Sequence, residues 1–171
     1  GRLFWKCIND SYISFSNSEI IQQFKNFKYL FSKDGENYQE NLNFENKNLI
    51  NLIHCDTFGT LVVAICKDLL IKDYVDFLIG DLGVSLIMSP SFSTGEYPFY
   101  ITLPQGFQTD CNIVWVNSCA AQHVRSDIES FPDDIALVSE KGEIIKFNRS
   151  TNCENKCKGG CIFFHDMQLL K

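Results

Sequence analysis

The pattern of apolar and polar positions predicts strands more often than helices. Leu3–Ile8, Tyr12–Phe15 and Glu19–Phe24 read as short strands, the last two joined by a polar Ser16-Asn17-Ser18 turn. Residues 25–48 are polar and read as loop. Leu49–Cys55 and Thr60–Ile65 read as strands around Asp56-Thr57-Phe58-Gly59, a good hairpin turn. Between Leu69 and Leu82, apolar residues at Leu70, Tyr74, Phe77, Leu78 and Leu82 have helical spacing, and Gly83 fits the stop. Val84–Met88 is a continuous apolar strand followed by Ser89-Pro90-Ser91-Phe92-Ser93. Phe99–Cys111 reads as a helix, although Pro104 and Gly106 argue for a kink or a late start. Ile113–Val116 is another buried strand. Asp134–Val138 and Glu143–Phe147 form a hairpin around Glu140-Lys141-Gly142, and Cys161–Phe164 is the last strand. Alternating strands and helices predict an α/β fold.

The strand Leu61–Ile65 ends at Cys66-Lys67-Asp68, where a helical pattern begins. A sharp turn there exposes a thiol, and the backbone N–H groups of a helix start can activate it and hold an oxyanion. The alternative is a buried structural cysteine. Cys66, Ser89-Pro90-Ser91 and Asn117-Ser118 each follow an apolar strand. In layered α/β proteins sites lie beyond the carboxyl ends of strands, so these three ends are expected around one pocket.

Composition narrows the function class. The 171 residues are 45% hydrophobic with 15 phenylalanines, enough for one sizeable core, and read as a single domain over 1–171. A net charge of −6 without a long basic block argues against nucleic-acid binding by this domain. No apolar run has the length of a membrane span. Eight cysteines do not demand a disulfide framework in so long and apolar a chain, and a reducing cytoplasm is expected. The start at Gly1-Arg2 suggests a fragment of a larger polypeptide.

The run Phe58-Gly59-Thr60-Leu-Val-Val-Ala-Ile-Cys66-Lys-Asp68, then Val84-Ser-Leu-Ile-Met-Ser-Pro-Ser91, then Asn112-Ile-Val-Trp-Val-Asn117-Ser118 resembles the carbon–nitrogen hydrolase (nitrilase) superfamily in order, spacing and loop residues. The resemblance runs from about Tyr12 to the C-terminal strand. It corresponds to the later two-thirds of a family domain, so the N-terminal part is expected to be missing from this chain. It implies a four-layer αββα sandwich, and hydrolysis of an amide or nitrile through a Glu–Lys–Cys triad without a cofactor.

Carried over by position, Cys66 matches the nucleophile, and the backbone N–H of Lys67 would join the oxyanion site. Lys25 matches the family lysine, with Lys28 as the register alternative and an exposed strand-end lysine as the plain reading. Glu40 matches a second family glutamate that orients the lysine, against a solvated loop glutamate. Ser89, Pro90, Ser91, Phe92 and Asn117 would line the pocket. The family's first glutamate, the general base, has no counterpart before Glu19, so this chain alone is expected to hydrolyse amides poorly, unless Glu40 or Glu36 serves. Family domains pair into dimers and also occur fused to other catalytic modules, including bacterial defence reverse transcriptases. A homo-oligomer or a partner domain in the same polypeptide is therefore expected, and a non-catalytic assembly scaffold is the alternative function.

Cys153, Cys157, Cys161 and His165 stand at steps of four and are candidates for a structural tetrahedral zinc site, although the spacing is not a standard finger pair. Thiols that bind no metal, or an incidental disulfide, are the alternatives. A cysteine protease using Cys66 with His123 or His165 is a weaker reading, since nothing sets a histidine near Cys66.

Overall fold

The structure is a computed structural model. It describes residues 10–14, 19–33, 35–40, 42, 49–56, 58–93, 97–103, 111–118, 134–140, 143–148 and 166–167. The chain is mixed α/β, with ten strands and few helices among these residues. The predicted strands Leu3–Ile8 and Cys161–Phe164 lie outside the described residues.

A six-stranded sheet forms the centre, in the order β10-β9-β8-β7-β6-β5. Strands β6 (Gly59–Val63), β7 (Leu86–Ser91) and β8 (Asn112–Asn117) are parallel. Strand β5 (Ile53–Cys55) pairs antiparallel with β6. Strand β9 (Asp134–Glu140) pairs antiparallel with β8 and with β10 (Glu143–Asn148). The parallel trio brings three carboxyl ends to one edge, as parallel strands joined by helical crossovers must.

Side chains alternate between the two sheet faces. Val62, Ile87, Ile113, Trp115 and Leu137 point to one face. They bury against Leu69, Tyr74, Val75, Leu78, Ile79, Phe99 and Leu103 of the helical segments. Phe99 and Trp115 stack there with ring centroids 4.9 Å apart. On the other face Ile53, Leu61 and Leu86 pack with Ile13 and Ile21 of an antiparallel pair, β1 (Asp10–Ser14) and β2 (Ile20–Phe24). Cys111 is fully buried, and burial pushes its thiol up to about 12.

Several elements differ from the sequence expectation. Residues 25–48 contain a hairpin, β3 (Leu30–Lys33) and β4 (Glu36–Gln39), closed opposite Gly35 at φ 78°. The Asp34-Gly35 pair is the hairpin signal, which the polar strand residues obscured. The expected helix Leu69–Leu82 is broken into a 3₁₀ turn (Cys66–Leu70), α1 (Lys72–Asp76) and a wider π turn (Phe77–Asp81). Ile71 between the first two is extended, at φ −91° and ψ 102°. Leu82 N–H reaches the Phe77 carbonyl at 3.1 Å; Val75 and Ile79 are buried, and Phe77 is exposed.

Strand β7 begins two residues later than expected and continues through Ser89-Pro90-Ser91. Helix α2 (Tyr97–Thr102) starts earlier than expected and stops before Pro104, whose ring disfavours helix in the residue ahead of it. Cys111, the expected helix end, directly precedes β8. Leu49–Asn51 are not strand. The Gln23 side chain occupies their backbone groups, donating to Leu49 O and accepting from Asn51 N–H.

Candidate functional site

Strand β6 runs apolar to Val63, and Ala64 N–H still reaches the Met88 carbonyl of β7 at 2.9 Å. The chain then turns sharply. Cys66 has φ 50°, and among the described residues no other non-glycine has positive φ. A side chain in the left-handed region is strained, and the surrounding contacts must impose it. A strained strand-to-helix turn of this kind holds a nucleophile out from the backbone. Cys66 is the first residue of the 3₁₀ turn, and Lys67 follows it there.

Strand β2 delivers Lys25 to the same place. Lys25 is buried, 6% exposed, and its Nζ lies 2.6 Å from Glu40 Oε2. The missed hairpin is what positions Glu40, which directly follows β4. Glu40 N–H bonds to the Tyr29 carbonyl at 3.0 Å, and its carboxylate accepts Tyr29 N–H at 2.7 Å. A buried ammonium held by a carboxylate at one-quarter exposure keeps its charge aimed rather than dispersed in water.

Lys25, Glu40, Ile65 and Cys66 border one cavity of about 270 Å³, with Pro90, Ser91 and Phe92 on its far wall. Ser91 is held there by Trp115, whose Nε1–H donates to Ser91 Oγ at 2.9 Å. Three of the expected pocket residues therefore meet Cys66. Ser89 and Asn117 do not line this cavity. Ser89 lies two residues back along β7 from Ser91 and is among the residues of a second, apolar cavity. Asn117 acts from behind: its Oδ1 accepts Ser93 N–H at 2.9 Å and its Nδ2 donates to Ser93 O at 2.7 Å. It thereby holds the loop that carries Phe92. Lys28, the register alternative, does not line the cavity, and Glu36 is turned to Tyr38, whose hydroxyl donates to it at 2.9 Å.

Asp10 and Ser11 also border the cavity. The sequence offered no signal for them, because only the tertiary fold brings β1 beside Cys66. Asp10 Oδ2 accepts Gln22 Nε2 at 2.6 Å. Asp68 was visible only as the polar residue after Cys66-Lys67. It is fully buried, and burial raises its carboxyl to about 6 against the opposing pull of Asn26 and Phe27 N–H, Lys25 and Ile65 N–H.

Among the described residues no group of three or more His, Cys, Asp or Glu is placed to hold a metal ion. Cys153, Cys157, Cys161, His165 and His123 lie outside the described residues. No helix among the described residues is long and apolar enough to cross a membrane. No protein-family model matches the chain, and comparison with curated proteins finds no significant match.

Proposed function

We propose that the chain is a cysteine-dependent carbon–nitrogen hydrolase of nitrilase type, acting on a small amide or nitrile. The observation that carries this reading is the meeting of a backbone-strained Cys66 with the buried Lys25–Glu40 pair at one cavity. The central sheet, with helical segments on one face and an apolar strand pair on the other, supports reading the domain as part of an αββα sandwich.

On an amide the steps are as follows. Cys66 Sγ attacks the carbonyl carbon and a C–S bond forms. The oxygen takes up negative charge, which the Lys25 ammonium and the Lys67 backbone N–H stabilise. The C–N bond breaks, the thiol proton leaves with the departing amine, and a thioester remains on Cys66. Water then cleaves the thioester to a carboxylic acid and restores the thiol. Glu40 holds Lys25 in place through both steps. The cavity, about 270 Å³, is of a size for a small acyl group beside Cys66.

A second reading, a non-catalytic assembly scaffold, is favoured by a different feature. An apolar cavity of about 330 Å³ opens between β1 and the sheet, with Tyr12, Met88 and Val116 exposed around it.

The test is covalent trapping. The protein is incubated with p-nitrophenyl acetate and with a panel of simple amides and nitriles, and adducts are mapped by mass spectrometry alongside ammonia release. An acyl group on Cys66, absent in Cys66→Ala and strongly reduced in Lys25→Met, is expected. Acylation of Cys66 no faster than that of Cys55, together with no Cys66-dependent ammonia release, sinks the hydrolase in favour of the scaffold.

A further inference from the structure

Lys25 and Cys66 sit on different elements, 41 positions apart by their numbering, and something must hold one against the other. Lys25 directly follows the end of β2 at Phe24, the last residue of the pairing with β1 among the described residues. The next two residues bond instead to one buried side chain. Asn26 N–H points at both oxygens of Asp68, at 3.1 Å and 3.0 Å, and Phe27 N–H donates to Oδ1 at 2.8 Å. Asp68 Oδ2 also accepts Ile65 N–H at 3.3 Å, directly before Cys66. Asp68 N–H returns to the Ile65 carbonyl at 3.1 Å, so the turn that imposes φ 50° on Cys66 is closed around the same residue.

We propose that Asp68 is a positioning residue: its carboxylate clasps the chain just after Lys25 to the chain just before Cys66, and so sets the approach of ammonium to thiol. This rests on the reading of Cys66 and Lys25 given above.

The clasp needs an ionised carboxylate. Two oxygens that accept from three N–H groups lose capacity when one becomes a donor. The charged groups facing Asp68 are few. Lys25 comes from the end of β2, with Glu40 behind it, and Tyr74 comes from α1. Tyr74 accepts Asn26 Nδ2 at 3.2 Å, and burial pushes its phenol upward, so it stays neutral near pH 6. Asp68 itself titrates near 6, because burial opposes its ionisation. Below that pH the clasp loosens.

The experiment reads charge beside the thiol and needs no substrate. Cys66 in the intact protein is alkylated with iodoacetate and with iodoacetamide, and the rates are measured by peptide mapping. The rate ratio of anionic to neutral reagent cancels the thiolate fraction and reports the nearby ammonium. Lys25→Met is expected to lower the ratio about threefold to tenfold, in keeping with a unit charge lost at close range. Asp68→Asn is expected to lower it as well, even though the substitution removes a neighbouring anion that repels iodoacetate, and in the Lys25→Met background it should lower it no further. In the wild-type protein the ratio should rise with pH through about 6, and it should be flat in D68N.

An unchanged ratio in D68N, with a lowered one in K25M, overturns the positioning role and leaves the cysteine–lysine reading intact. An unchanged ratio in K25M overturns both. Equal slowing of the two reagents in D68N is what a merely structural role produces, and it also overturns the proposal. If D68N does not fold, the wild-type titration decides: a ratio flat between pH 5 and 8 refutes the clasp.

Discussion

Replacing Lys25 by methionine tests the centre of the site with little change of volume. The ammonium lies 2.6 Å from Glu40 Oε2. At an effective dielectric of about 20 this attraction is about 6 kcal/mol gross. Most of it offsets the removal of two charges from water. Lys25 is buried, but the Glu40 side chain is 26% exposed and can rehydrate once unpaired. Glu40 also keeps its bond from Tyr29 N–H. The net loss is then about 1–3 kcal/mol, below the 3–5 kcal/mol typical of breaking a fully buried pair. For a chain of 171 residues that lowers Tm by about 3–10 °C. The effect on chemistry is larger. Losing one donor to a developing oxyanion typically costs about 10²–10³ in rate. The measurements are a thermal melt and the rate of Cys66 acylation by p-nitrophenyl acetate, with Glu40→Gln as an intermediate case. A Tm within about 1 °C of wild type and an acylation rate within about twofold would refute both the ion pair and its role.

Further outcomes follow from single features of the structure. Cys66→Gly should melt higher than Cys66→Ala, by about 1–2 kcal/mol, because glycine accepts φ 50° without strain; equal melting of the two variants rejects the strained turn. Gly59→Ala should lower stability by about 1–3 kcal/mol in urea unfolding, since φ is 88° and a Cβ would lie 2.5 Å from Ser85 Oγ, itself bonded to Phe58 O and Thr60 N–H; an unchanged midpoint argues against that turn. Trp115→Phe removes the bond to Ser91 and should cost about 1 kcal/mol while weakening protection of Cys66 from alkylation; a rate like that of wild type separates Ser91 from the cavity wall. Asp68 has its folded-state pKa raised from 3.8 to about 6, so the folded protein binds the proton more tightly than the unfolded chain. Stability should therefore fall as pH rises from about 4 to 6, by roughly 3 kcal/mol from this group, and the slope should vanish in Asp68→Asn. The carboxylate is thus kept ionised at neutral pH against the interest of the fold, and a wild-type slope equal to that of D68N contradicts this.

Local signals carried a good part of the architecture. Ile113 to Val116, the hairpin around Lys141-Gly142 and Thr60 to Val63 of the expected strand Thr60–Ile65 were legible as strands, because continuous or alternating apolar runs have few other ways to be buried; Ala64 and Ile65 already belong to the turn before Cys66. Cys66 stood out because a strand stopping at a thiol before a helical pattern is a local event. Ser91 was marked by the strand end it follows, whereas Lys25, Glu40 and Phe92 were chosen through a family likeness, not through any pattern in their own segments. What the tertiary structure decided lies in contacts between distant segments. The Lys25–Glu40 pair exists because a polar hairpin, read from sequence as loop, folds Glu40 back beneath Tyr29. Asn117 braces Ser93 rather than lining the cavity, because its amide is taken up by the backbone of the loop after β7, a contact between separate segments. The helix expected over Leu69–Leu82 is interrupted at Ile71, where no residue of low helix propensity such as glycine or proline marks the break. Asp68 shows the division most clearly. Its identity, its place after Cys66 and its bond from Ile65 N–H are local, but its bonds from Asn26 and Phe27 N–H come from a segment some forty residues away, and its burial and raised pKa come from the tertiary fold, which no local pattern encodes.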